Sequence, residues 1–355
     1  MKNILVVLGT RPEAIKLAPV ILELKKDDSF VVHVCNTEQQ KELSNQTLAF
    51  FGITPDFKLD VMTPNQSLSS LQCLIMNRLN ELLLQHKYDA IIVQGDTMTV
   101  LAASLVSFYQ SVPLFHVEAG LRSHNLASPF PEEAIRKMVS NIATLHFTPT
   151  EMATDNLLKE GVSSKIIHNV GNTVLDALLH YLPEPLVNLT TQELSKKGIL
   201  PKNNLSVLVT IHRRENHGAK LIQILQAISE LAQKNSQFTF ICPVHPNPNV
   251  KDRVETWFKS QNLSNVKLVE PLNYPELVAI LKHAKVVLTD SGGIQEEACA
   301  FNIPIIVLRD TTERMEGVHA GFAFLAGTET AQILRIANPF FEKKTSTSAT
   351  SKSIW

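Results

Sequence analysis

With 355 residues, 19% charged and 44% hydrophobic side chains, the chain is long for a single core and predicts two soluble domains. A formal net charge of −1 excludes a surface built for non-specific attachment to nucleic acid or anionic membrane, so neither partner is expected and a ligand must be gripped locally. The apolar run Ile4 to Leu8 is too short for a signal peptide and nothing approaches a membrane span, which predicts a cytoplasmic location.

Lys2 to Leu8 reads as a buried strand that ends in Gly9-Thr10-Arg11-Pro12-Glu13, with Pro12 at the first position of the helix that follows. Strand Val31 to Asn36 and a helix from about Gln39 to Phe51 come next. Pro64-Asn65-Gln66-Ser67 then punctuates the chain before a helix to about His86. Ala90 to Gln94 is a short strand closed by Gly95-Asp96-Thr97, with a helix through Tyr109. Val112 to Val117 delivers Glu118 at its carboxyl end. Strands alternating with helices in this rhythm predict a parallel α/β sheet whose ligands lie beyond the carboxyl ends, where Arg11, Asp96 and Glu118 fall. The loop Ala119 to Pro131 is long enough to suggest function. If Pro131 opens the next helix, Glu132 and Arg136 share a face and either reach one cavity or form a surface ion pair.

Pro183 to Asn204 marks a domain boundary by composition, with a helical patch inside it, and residues 1–170 and 171–340 are expected to form the two domains. The second half repeats the rhythm, with strands Leu205 to Thr210, Phe238 to Val244, Val266 to Val269, Lys285 to Thr289 and Ile303 to Leu308. His212 and His245 each follow directly on a strand end. Asp290-Ser291-Gly292-Gly293-Ile294-Gln295-Glu296-Glu297 reads as strand end, glycine turn and helix start, an arrangement that offers backbone N–H groups to a phosphate and a carboxylate to a ribose. An ordinary strand-to-helix turn would look the same in isolation. Only Ala331 to Ile336 looks helical near the end, and residues 341–355 read as a disordered polar tail. The four cysteines (Cys35, Cys73, Cys242 and Cys299) lie far apart and read as reduced core thiols, and no spacing of ligands completes a metal site.

Six blocks in order carry a family resemblance. Gly9 to Lys16, Gly95-Asp96-Thr97, His116 to Arg122, Pro131-Glu132-Glu133, His212-Arg213-Arg214-Glu215 and Asp290 to Glu297, closed by Arg309 to Arg314, resemble the non-hydrolysing UDP-N-acetylglucosamine 2-epimerases. The resemblance implies two Rossmann-like domains of the glycosyltransferase-B type, with a UDP-sugar held in the cleft between them, and a homodimer. It implies inversion at C2 by elimination and return of UDP, with no NAD, metal or other cofactor, in the supply of a surface polysaccharide or sialic-acid-like sugar. Asp96, Glu118, Glu132 and His212 would handle protons and the leaving group. Arg11, Lys16, Arg136, His245, Ser291, Gly292, Gly293, Glu297 and Arg314 would bind substrate. Gln39 and Gln66 would belong to an effector site, although Gln40 and Lys41 stand where relatives carry His and Arg, and lysine lacks arginine's bidentate grip. A hydrolysing epimerase that releases free N-acetylmannosamine, or a glycosyltransferase on the same fold, are the alternative chemistries.

Overall fold

Strand β1 (Lys2–Leu8) is buried without a break from Ile4 to Leu8, as a parallel strand covered by helices on both faces must be. The chain continues through α1 (Arg11–Leu24), β2 (Phe30–Asn36), α2 (Lys41–Phe50), β3 (Phe57–Lys58), α3 (Leu68–Gln85), β4 (Ala90–Gln94), α4 (Met98–Tyr109), β5 (Leu114–Val117), α5 (Glu132–Ser140), β6 (Leu145–Thr148), α6 (Glu151–Lys159), β7 (Ile167–Asn169) and α7 (Thr173–Leu179). The seven strands form one parallel sheet in the order β3-β2-β1-β4-β5-β6-β7. This computed structural model describes residues 1–342 apart from 64, 65, 183, 204, 245–247 and 313.

A second unit begins with α8 (Glu184–Lys196) and runs through β8 (Ser206–Thr210), α9 (Ala219–Lys234), β9 (Thr239–Pro243), α10 (Pro248–Gln261), β10 (Val266–Val269), α11 (Tyr274–His283), β11 (Ala284–Thr289), α12 (Gly292–Ala300), β12 (Ile305–Val307), α13 (Met315–His319), β13 (Ala323–Leu325) and α14 (Thr330–Glu342). Its six parallel strands take the order β10-β9-β8-β11-β12-β13. Each unit has its own core. One gathers Leu5, Val7, Ile75, Leu79, Ile91 and Val100, and the other Val207, Ile224, Ile228, Phe240, Val286 and Ile306. Among the described residues no helix is long and apolar enough to cross a membrane.

Several elements differ from the sequence expectation. The units divide between Leu182 and Pro183, where the Pro183 to Asn204 stretch begins and twelve residues after the expected limit at 170, because α7 packs on α1 and so belongs with the first sheet. Arg11 opens α1 and Pro12 is its second residue, where a missing N–H is equally harmless. The two-residue β3 has too little sequence to show a pattern. At the other end α14 continues through Phe341 and Glu342, past Pro339, because Ile333, Ala337 and Phe341 form a buried stripe against the second core. The polar-tail expectation is therefore wrong for those two residues, and residues 343–355 lie outside those described. Cys35, Cys242 and Cys299 are buried, and burial raises all three thiols, the last two to about 12. Cys73 is exposed on α3 and is not a core thiol.

Two substitutions test this packing. The Phe341 ring stacks on Phe240 at 5.8 Å and meets Phe238 edge-on at 5.1 Å. Phe341→Ala is expected to remove about 3–5 kcal/mol of stability, read as a lower urea midpoint. At Gly9 a Cβ would lie 2.0 Å from Thr37 Oγ1 and 2.7 Å from Thr99 Oγ1, and those hydroxyls are bonded to each other at 2.9 Å. Gly9→Ala is expected to cost about 1–3 kcal/mol in the same assay, because the two threonines close off the space.

Candidate active site

Strand order reverses at one place in each sheet, between β1 and β4 in the first and between β8 and β11 in the second. Doubly wound sheets take ligands beyond the carboxyl ends at that point, where loops leave in opposite directions. In the first unit the turn after β1 carries Arg11, and the turn after β4 carries Asp96, between Gly95 at φ 82° and Thr97. Glu118 follows directly on β5 and adopts φ 63°. A non-glycine residue is held in the left-handed region only where its surroundings fix it, and such strain gathers at functional sites.

Opposite charges surround these carboxylates. Lys16 of α1 hydrogen-bonds Glu118, and both side chains are almost wholly buried. Arg136 of α5 donates from Nε to Asp96 at 2.8 Å and from Nη1 to Glu133 at 3.0 Å. Arg136 is buried, so the surface ion pair is excluded. Glu132 opens α5 beside Glu133, both acidic in the first turn, where the helix dipole favours them. The structure thus brings Asp96 to Arg136 and Glu118 to Lys16, while Arg11 sits half-buried with its backbone N–H on Gln40 Oε1 at 3.1 Å.

Groups that the sequence left without a role hold these turns. Glu133 accepts the backbone N–H groups of Ser123 and His124 at 2.9 and 3.0 Å, which anchors the long loop before α5. Arg122, at the base of that loop, is clamped by Glu160 at 2.9 and 2.6 Å and by Ser140 at 2.8 Å. Glu13 accepts from the backbone of Gly9 and Thr10 and from the Thr97 hydroxyl, and burial, outweighing these donors, pushes its carboxyl up to about 7. His116 Nε2 lies 2.7 Å from the Gly95 carbonyl, and burial lowers its pKa to about 4. The ring is therefore neutral and its Nε2–H donates. A carboxylate at the third position of a helix ordinarily reads as a complement to the dipole, so only the pairing of Glu13 with a glycine turn could have flagged it.

In the second unit Asp290 is fully buried at the end of β11. It accepts the backbone N–H groups of His212 and Arg213 at 3.1 and 3.0 Å and the Asn216 amide at 2.9 Å, and His212 Nδ1 lies 3.1 Å from its Oδ1. Burial alone raises a carboxyl, but the His212 contact and the other donors outweigh it and hold Asp290 below the ordinary value. Ser291 is the N-cap of α12, and its side chain makes no capping hydrogen bond. Gly292 and Gly293 begin the helix, and a Cβ at Gly293 would meet nothing within 4 Å. Backbone N–H groups at such a start lack partners within the helix and suit an anion. Glu297 is buried one turn further on. Arg314 donates from Nε at 2.7 Å to buried Glu296, which the sequence offered beside Glu297 as a carboxylate for a ribose. Arg309, also buried, pairs with Glu215 at 2.8 Å.

The remaining expectations are less gathered. Gln39 Oε1 accepts from the Thr99 backbone and hydroxyl at 3.3 and 3.0 Å, whereas Gln66 accepts from the Thr63 N–H at 3.3 Å. The two candidate effector glutamines thus hold different neighbours. His245 lies outside the described residues. Among the described residues no group of three or more His, Cys, Asp or Glu side chains is placed to hold a metal ion.

A family model described as UDP-N-acetylglucosamine 2-epimerase matches residues 22–354. The chain is 44% identical over 333 residues to the UDP-N-acetylglucosamine 2-epimerase of Neisseria meningitidis, covering 94% of this chain and 89% of that protein. The crystal structure of the UDP-GlcNAc 2-epimerase from Neisseria meningitidis bound to UDP-GlcNAc matches with a TM-score of 0.90 at 43% identity, over 96% of this chain and 93% of that one. That of the Methanocaldococcus jannaschii UDP-GlcNAc 2-epimerase in complex with UDP-GlcNAc and UDP matches with a TM-score of 0.81 at 32% identity, again over 96% and 93%. The two helix-flanked parallel sheets are of the glycosyltransferase-B-like type, and the chain belongs to the UDP-N-acetylglucosamine 2-epimerase family.

Proposed function

We propose that this enzyme interconverts UDP-N-acetylglucosamine and UDP-N-acetylmannosamine by elimination and re-addition of UDP, without releasing free sugar. The observation that carries the reading is the pair of carboxylates beyond the carboxyl ends of the neighbouring strands β4 and β5, with Asp96 on Arg136 and Glu118 on Lys16. A C2 proton is too weakly acidic for simple removal, so its loss has to accompany departure of the group on C1. In the forward direction a carboxylate takes the C2 proton, the C1–O bond breaks with its electron pair passing to the diphosphate, and a C1–C2 double bond forms. Return delivers a proton to the opposite face of C2 while a diphosphate oxygen attacks C1. Nothing is oxidised or reduced overall, so the steps balance without NAD.

Asp96, Glu118 and Glu132 handle the proton in this reading. Lys16 and Arg136 orient them. The second unit supplies UDP recognition, with Ser291, Gly292 and Gly293 at the start of α12 and His212 on the departing diphosphate, Glu297 on the ribose, and Arg314 and His245 beside the nucleotide. Arg11 adds positive charge from the first unit. A homodimeric assembly and a role in supplying a surface polysaccharide or sialic-acid-like sugar belong to the same proposal, and the family membership supports them.

A second reading, hydrolysis to free N-acetylmannosamine and UDP, is favoured by the Gln40-Lys41 segment. Lys41 pairs with Asp60 at 2.7 Å, and the Gln40 side chain holds the Arg11 backbone. Proton NMR with UDP-GlcNAc in deuterated water separates the two. The expected outcome is UDP-ManNAc with deuterium at C2 and little free sugar, and accumulation of free N-acetylmannosamine would move the assignment to hydrolysis. For Asp96→Asn, kcat is expected to fall by about 10²–10⁴-fold, the range for a lost proton-transfer group. UDP affinity by calorimetry should stay within about threefold, since the amide removes a transition-state role and leaves nucleotide binding in place.

A further inference from the structure

Glu13 takes no part in the reaction as written, yet its polar contacts run to the turns that carry two groups of the candidate site. It lies at the third position of α1 with 1% of its surface exposed. Oε2 accepts the Gly9 and Thr10 N–H groups at 2.9 and 2.7 Å, immediately before Arg11. Oε1 accepts the Thr97 hydroxyl at 2.7 Å, immediately after Asp96. The Thr97 oxygen also receives the Val100 N–H at 3.3 Å and so caps α4. From this geometry we infer that Glu13 is a positioning residue, which couples the turn after β1 to the turn after β4 and so fixes where Asp96 stands relative to Arg11.

The inference rests on the reading of Asp96 as a proton-handling group. A role in stability alone does not account for the carboxylate. Its folded pKa, about 7, lies above the ordinary 4.5, so its contribution to stability is present below about 4.5 and is lost as pH rises through 7. At pH 8 the charged group therefore works against folding, and the three donors it gathers are turned to holding the two loops. Glutamine fills the same space and keeps one oxygen for Gly9 and Thr10. It sets an amide N–H against Thr97, whose hydroxyl then loses its acceptor.

The test compares Glu13→Gln, Thr97→Val, Thr97→Ser and the Glu13→Gln/Thr97→Val double variant at pH 8. Glu13→Gln is expected to melt at or above the wild-type temperature, with kcat for epimerisation lower by about tenfold or more and KM within about threefold, the pattern of a lost transition-state alignment. Amide exchange across residues 95–97 should quicken. Thr97→Val should lower kcat comparably, Thr97→Ser should keep it within about twofold of wild type, and the double variant should fall little below the worse single change, because residues acting through one contact are not additive. A Glu13→Gln enzyme with unchanged exchange and kcat within about twofold of wild type would overturn the inference, as would losses that simply multiply in the double variant. If Glu13→Gln fails to fold, the contrast between Thr97→Val and Thr97→Ser decides. If the wild-type protein does not epimerise, the proposed activity falls, and amide exchange alone judges the coupling: faster exchange in Glu13→Gln upholds it and unchanged exchange sinks it.

Discussion

A carboxylate taken out of water and surrounded by donors fastens the two turns at the switch point of each sheet, and the rest of the site depends on it. In the first unit the carboxylate is Glu13, which bridges Gly9 and Thr10 to Thr97. In the second it is Asp290, which bridges the end of β11 to His212, Arg213 and Asn216. Burying an ionised carboxylate is unfavourable unless hydrogen bonds replace its hydration, and charge-assisted bonds are the strong ones. The two environments resolve that balance differently. Asp290 meets a histidine and is held low, whereas burial dominates at Glu13 and lifts it to about 7.

Around these fasteners the carboxylates of the candidate site are arranged with cations that have little contact with water. Arg136 is shared between Asp96 and Glu133, and Glu133 in turn holds the loop that leads into α5. Lys16 meets Glu118 at a backbone position that only a tightly defined environment maintains. A change of charge at any one of these groups is felt by its partners, because a low-dielectric surrounding weakens screening. The N-terminus of α12 offers the complementary chemistry, a fixed array of backbone donors that needs no side-chain charge.

Much of this was legible in the sequence because strand, glycine turn and polar residue recur in a fixed grammar. Arg11, Asp96, Glu118, His212 and Ser291 all follow a strand end, and the parallel α/β pattern told which end of the sheet they would occupy. What stayed hidden was burial. Glu13, Glu133 and Glu296 sit in helix turns where an exposed carboxylate would look identical, and only tertiary packing decides that they face inward. The end of α14 was missed for a related reason, since Pro339 and the polar residues beyond it mask a stripe in which Phe341 completes the second core. The two residues of β3 carry no period at all.

The second sheet repeats, strand for strand, the order of the first six strands of the other. Each half also fastens its own switch point with its own acid. Inheritance can therefore act on the halves separately. Under the proposed function, substitutions around α12 and His212 drift toward another nucleotide or another sugar while Asp96, Glu118 and their cations keep their geometry. On that reading a lineage built this way explores new specificities without first losing its chemistry.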